Sequence, residues 1–181
     1  MSAPDPTVEI APASASAIAD GRDHRLDPRV VPLHQTAGWI ATFVIALIAF
    51  VALSASWVAG GPTLAGLSAR GALWIAGVAL LGWRATSWPA IAYRHASYRV
   101  DHLGIEIRRG VIWRTVINVP RSRVQHTDVS QGPLERRYGL GTLAIYTAGT
   151  DHARVGLAGL EHARALAIRS HLLPAGGGDA V

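Results

Sequence analysis

Seven arginines between residues 108 and 137 are the side chains best placed by type and spacing to do chemistry: Arg108, Arg109, Arg114, Arg121, Arg123, Arg136 and Arg137. Within that window they meet only Asp128 and Glu135, a local excess of +5. A planar guanidinium carries forked donors that match phosphate or carboxylate, so such a set suits lipid headgroups or an acidic protein surface. A solvated strand face, or the basic bias of the inner side of a membrane, would produce the same count. Arg123 also has a structural reading, in which it ties strand ends to carbonyls or to Asp128. Binding to single-stranded nucleic acid would need aromatic rings for stacking between the cations. Trp113 and Tyr138 are interleaved with the set, but both are expected in a core, and no nucleic-acid partner is expected.

Other chemistries find less support. His95, His102, His126, His152, His162 and His171 fall in the second half, yet none has the close helical spacing that a metal site uses. Only His126 and Asp128 lie two apart on one strand face. Ser, Asp and His are present without a nucleophile elbow or paired catalytic carboxylates. Gly139-Leu140-Gly141 is too short for a dinucleotide fingerprint. The chain has no Cys, and all 17 basic residues are Arg. Thiol nucleophiles, Cys-ligated zinc, Lys Schiff bases and a Walker lysine are thereby excluded. No catalytic residue, metal or cofactor is expected, and the chain reads as a non-enzyme.

The elements that must position these arginines divide the chain. Of 181 residues, 50% are hydrophobic and only 16% charged. An average soluble domain is about 25% charged, so part of this chain is built for an apolar medium. Residues 1–35 carry a net −2, residues 36–83 only Arg70, and residues 84–181 a net +6. From Val30 to Ala69 there is no charged side chain. Thr36–Ala59 would rise about 36 Å as a helix, enough to cross a hydrocarbon core of about 30 Å. Trp39 and Trp57 stand near its ends, where amphipathic rings favour the interface. Gly60-Gly61-Pro62 breaks the helix, and a second apolar segment covers Leu64–Trp83, with Arg70 able to snorkel outward. The spans are therefore placed at 36–59 and 64–83, within a helical hairpin over 36–95. Arg22, Arg25 and Arg29 precede it and Arg84, Arg94 and Arg99 follow it, so the positive-inside bias predicts both termini cytoplasmic. Residues 1–35, whose first 28 are rich in Ala, Pro, Ser and Asp, predict a disordered cytoplasmic tail and no cleaved signal peptide.

Beyond Pro89 the pattern alternates. Six strands are expected, around Tyr98–Val100, Ile105–Arg108, Val111–Val119, Val124–Ser130, Thr142–Ala148 and Arg154–Leu157. Pro133 and Gly139 bracket a short helix. A closing helix is expected over Leu160–Leu173, with Leu160, Ala163, Leu166, Ala167, Ser170 and Leu173 on its apolar face. The small domain occupies 96–173, and 174–181 form a second disordered tail.

Three pieces of this domain carry a resemblance: YRVDHLGIEIRRGVIWR (98–114), VPRSRVQHTDVSQGPLERRYGLGTLAIYTAG (119–149) and LAGLEHARALAIRSHLL (157–173). A strand ending in Pro120, then S-R-V-Q with Arg123 and Gln125, then Q-G-P-L-E-R with Gly132, Pro133 and Arg136, then Gly139, is the most specific part. Together with Gly110 and the two preceding spans, it resembles the bacterial pleckstrin-homology (PH)-like domain of small two-span membrane proteins over about 36–173. The resemblance implies a two-helix transmembrane hairpin plus a mainly-β PH-like barrel or bent sheet capped by a C-terminal α-helix. It also implies a non-enzymatic role at the cytoplasmic face of the bacterial inner membrane. Two expectations follow. In the first the chain is an assembly or scaffold subunit that docks a protein partner, or a second copy of itself, with Arg136 and Arg137 in the contact. In the second the Arg-rich surface reads anionic lipid headgroups.

Overall fold

With no charged side chain from Val30 until Arg70, nothing interrupts a long apolar helix, and α1 runs Val30–Gly60. The computed structural model describes residues 18–60, 64–148 and 154–173. Gly61 and Pro62 of the expected break, the tail 174–181, residues 1–17 and His152 lie outside the described residues. α2 spans Leu64–Arg94 and returns along α1 as an antiparallel hairpin. Small residues permit the close approach: a Cβ on Gly38 would lie 2.9 Å from the Ala85 Cβ, and one on Gly82 would lie 2.9 Å from the Trp39 ring. The Trp74 indole donates to the Ala46 carbonyl at 3.0 Å, across the pair.

Both helices extend further than the expected spans, by six residues at the start of α1 and eleven at the end of α2. α2 continues through Pro89, which lacks the N–H that would bond the Ala85 carbonyl. That turn is supported from α1, where the Gln35 amide donates to the Thr86 carbonyl at 2.9 Å. Among the described residues α1 alone, over Val30–Val58, is long and apolar enough to cross a membrane. Leu73, Ile75, Leu80 and Trp83 nonetheless leave a broad apolar face on α2 exposed.

Two antiparallel sheets make up the rest. The first has the order β1 (Asp23–Arg25), β2 (Ser97–Val100), β3 (Gly104–Arg109), β4 (Thr115–Pro120). A single 3-10 turn, Arg121–Arg123, leads to the second, β5 (Val124–Ser130), β6 (Leu140–Thr147), β7 (Arg154–Glu161). α3 (Pro133–Tyr138) connects β5 to β6, and α4 (His162–Leu172) is the last of the described elements. Alternation decides the core: Tyr98, Val100, Ile105, Ile107, Ile117 and Val119 face inward from the first sheet, and Leu143, Ile145, Val155 and Leu157 from the second. The mainly-β body with a helical cap agrees with the expected class.

Four details differ from the sequence reading. The segment placed in a disordered tail contributes β1, pairing His24 with Tyr98 and Arg25 with Ser97, while Ile18, Ala19 and Leu26 pack on the core. The strand expected over Val111–Val119 begins only at Thr115. Arg109 pairs with Thr115, so the chain must reverse between them, and Val111–Trp113 form the bend. The last strand is twice as long as expected, running to Glu161. α4 therefore starts two residues late and buries Ala165, Ile168 and Leu172, while Leu166 is exposed. At 100° per residue, a shifted start presents a different face.

Candidate functional site

β2 follows directly on α2, so Ser97 lies at the end of the domain that adjoins the helices. Antiparallel pairing carries this end across the sheet: Ser97 opposes Arg108, and Arg109 opposes Thr115. The other sheet brings Leu140 to the same end, where it is buried against Val30 and Leu33 of α1. The β3–β4 turn and α3 thus both stand beside the first turns of α1, whereas Pro120–Val124 and Leu173 lie at the far end. This geometry splits the seven arginines.

α3 is a brace with an outward basic edge. The backbone N–H of Gly132 donates to Glu135 Oε2 at 2.7 Å, and the Thr142 hydroxyl donates to Glu135 Oε1 at 2.6 Å. Gln131 donates to the Leu140 carbonyl at 2.5 Å. Gly139 closes the helix at φ 69°, a left-handed cap. The Tyr138 hydroxyl meets Thr36 Oγ1 at 2.8 Å, and because Thr36 already donates to the Pro32 carbonyl, Tyr138 is the donor. Leu134 and Tyr138 pack on the Val30–Leu33–Leu140 cluster. Most of the Q-G-P-L-E-R motif is therefore spent on structure, and the charged side chains that α3 leaves exposed beside α1 are Arg136 and Arg137.

At the β3–β4 end the arginines differ from one another. Arg108 bonds Glu106 at 2.5 Å and Asp23 at 3.1 Å, and Asp23 also bonds Arg99 at 3.0 Å. The Glu106 hydrogen bond holds the Arg108 guanidinium above its ordinary pKa, so its charge is permanent but largely matched. Arg109 makes one long contact, 3.4 Å to the Gly156 carbonyl, and Arg114 is exposed with no partner among the described residues. Arg108 and Arg109 line, with Val30 and His34, a cavity of about 190 Å³. Trp113, expected in the core, is exposed instead, because its residue belongs to the bend and not to β4.

The far-end arginines serve the fold or stand apart. Arg121 Nη2 donates to the Leu173 carbonyl at 2.8 Å, tying the 3-10 turn to the end of α4. Arg123 is exposed and does not reach Asp128; its carbonyl accepts the Ala148 N–H at 3.0 Å. Gln125 is the extra residue of a β-bulge, since Val124 opposes Thr147 and His126 opposes Tyr146. Pro120 ends β4 and caps the 3-10 turn.

The histidines are dispersed. His126 stacks on Tyr146 with centroids 4.1 Å apart, His95 donates to the Ile91 carbonyl at 2.8 Å, and His171 to the Asp101 carbonyl at 3.0 Å. Among the described residues no three His, Asp or Glu side chains gather as a metal site would require. A second cavity of about 360 Å³ lies between the bases of α1 and α2, lined by Val30, His34, Arg84, Trp88 and Tyr93 among others. Arg84 stands 5.9 Å above the Trp88 ring. Sequence reading missed two parts of this end. Gly159 faces Val30, where a Cβ would come within 2.7 Å of Val30 Cγ2. Asp27 is the other: its N–H donates to the Gly159 carbonyl at 2.9 Å, while Arg29 holds its carboxyl below the usual range.

Comparison with known proteins agrees with this architecture. UPF0699 transmembrane protein YdbS of Bacillus subtilis (strain 168) is 41% identical over 86 residues, which cover 44% of this chain and 54% of that protein. The chain thus spans about half the length of this curated relative. No solved structure matches. Residues 35–175, which take in most of both helices, strands β2 to β7 and α4 but not β1, match the family described as Bacterial PH domain, and the chain belongs to that family.

Proposed function

We propose that this protein is a membrane-anchored, non-enzymatic binding module whose PH-like domain rests on the inner face of the bacterial cell membrane and engages anionic lipid headgroups. The contact residues are Arg109, Arg114, Arg136 and Arg137. The observation that carries the reading is the split of the arginines: these four are exposed at the end of the domain beside α1, while Arg108 and Arg121 are engaged in internal bonds and Arg123 stands exposed at the far end. Each Arg held near an anionic leaflet adds about 1 kcal/mol of attraction, so four together make a substantial, salt-sensitive contact.

The topology in the bilayer has independent support. β1 precedes α1 and β2 follows α2, yet the two are hydrogen-bonded neighbours. Both flanks of the helix pair must then lie on one side of the membrane, and if α1 crosses it, α2 crosses back. The exposed apolar face of α2 suits that return span. Arg22, Arg25 and Arg29 before the pair, with Arg84, Arg94 and Arg99 after it, favour the cytoplasmic side for both termini.

The test uses the full chain in nanodiscs of neutral lipid, with and without added anionic lipid. Anionic lipid is expected to slow amide exchange around residues 109–114 and 133–138, and salt or Gln at the four arginine positions should reverse the effect. Exchange that ignores lipid charge would refute headgroup binding. A second reading, docking of a protein partner within the bilayer, is supported by an apolar groove of about 330 Å³ on the helix pair, lined by Trp39, Phe43, Leu47, Phe50, Trp74 and Val78. It predicts a complex that survives high salt.

A further inference from the structure

The turn between β3 and β4 presents two adjacent large apolar side chains to solvent, Ile112 at 77% and Trp113 at 86% exposure. Val116, three residues on in β4, is also exposed, at 61%. Single exposed apolar residues are ordinary, but a contiguous tip that includes the most exposed tryptophan described here calls for a partner surface. The tip is also held in shape. Gly110 has φ 118°, and a Cβ there would collide with the Trp113 backbone carbonyl, so the reversal closes tightly on a position only glycine fits.

Register gives the tip its direction. β3 begins at Gly104, opposite Pro120 at the far end, and finishes at Arg109, in the cavity shared with Val30 and His34 of α1. The turn that continues it lies beyond Arg109, on the side where the helices leave the domain. Around the apolar tip stand Arg108, Arg109 and Arg114. An aromatic and an aliphatic side chain at the apex, with cations behind them, match the layered chemistry of a bilayer surface: rings at the headgroup–acyl boundary, guanidinium groups at the phosphates.

We propose that Ile112 and Trp113 form a wedge that enters the interfacial layer of the same leaflet that α1 penetrates, giving the domain a second, apolar fixing point that sets its tilt. The inference rests on the reading of α1 as a membrane span. It differs from headgroup binding in its driving force, which is apolar burial, so the wedge holds in zwitterionic lipid and at high salt.

Because the chain has no cysteine, Ile112→Cys and, as a far-end reference, Ser122→Cys each take a single spin label in the full-length protein. The labelled proteins are placed in phosphatidylcholine vesicles at high salt, and collision with oxygen is compared with collision with a water-soluble nickel chelate. Oxygen is expected to dominate at position 112 and nickel at position 122. Adding Trp113→Ser should raise nickel access at 112 several-fold while leaving the melting temperature unchanged. Equal, water-like access at 112 and 122 would overturn the wedge. So would a lipid-like signal at 112 that persists without Trp113, or insertion seen only with anionic lipid at low salt. Headgroup binding fails separately, by insensitivity of exchange at residues 133–138 to lipid charge.

Discussion

Arg121 lies at the end of the domain far from the helices, and its guanidinium is committed to the Leu173 carbonyl. Arg136 and Arg137 lie at the opposite end, on a helix whose other polar groups are all engaged, and their own side chains reach no partner among the described residues. The same residue type is thus locked as a brace in Arg121 and left available in Arg136 and Arg137. Family motifs run through both ends, so membership in a motif does not separate a brace from a contact. What separates them is whether the fold supplies an acceptor.

This contrast can be broken most severely through the core that both ends share. Ile168→Ala should cost about 2–5 kcal/mol, as loss of a buried aliphatic side chain does, whereas Leu166→Ala, one helical face away, should cost under about 0.5 kcal/mol. Thermal unfolding of the two variants in detergent would decide which face of α4 is buried. Next in size, Gly110→Ala places a strained, colliding Cβ in the β3–β4 turn and should cost about 1–3 kcal/mol, with the wedge lost before the far end is affected. Arg121→Ala removes a charged hydrogen bond at the far end and should cost about 1.5–3 kcal/mol at most, without changing lipid response. Arg136→Gln combined with Arg137→Gln should move stability by less than about 0.5 kcal/mol while weakening the response to anionic lipid. If Arg121→Ala altered lipid response and the Arg136/Arg137 double variant altered stability, the two ends would have been assigned the wrong way round.

The smallest effect concerns pH. The Arg29 side-chain hydrogen bond holds the Asp27 carboxyl below its ordinary value of 3.8. A carboxyl depressed on folding stabilises the fold fully above that value and loses its contribution as the pH falls through the folded pKa. Asp27→Asn should therefore cost about 0.5–1 kcal/mol at pH 7 and progressively less below pH ~4, read as converging melting temperatures of variant and parent.

Much of the fold was legible where one physical signal acted alone. Pro133 at a helix start and Gly139 at its cap were readable because each residue's backbone preference is local. The long apolar run of α1 was equally plain. β1 was not, because three residues in an Asp- and Arg-rich segment have no periodicity and their partner lies beyond both helices. Val111-Ile112-Trp113 read as strand because all three favour extended backbone, while the reversal that overrides them is dictated by the pairing of Arg109 with Thr115. At the site, seven arginines were visible but their division was not. Arg108 is matched by Asp23, 85 positions away, and no local pattern carries that information.

The pairing of β1 with β2 also bears on how the protein is made. β1 leaves the ribosome first, but the strand that completes it is synthesised only after both helices. At about 5–20 residues per second, the first strand waits several seconds while the hairpin is delivered to its medium. On the proposed two-span topology, an α2 that failed to return would leave β1 and β2 on opposite sides of the bilayer, and the first sheet would lack its edge. On that topology, closure of the sheet would record that the helices returned to one side, and a domain left open at β1 would mark the molecule as misassembled.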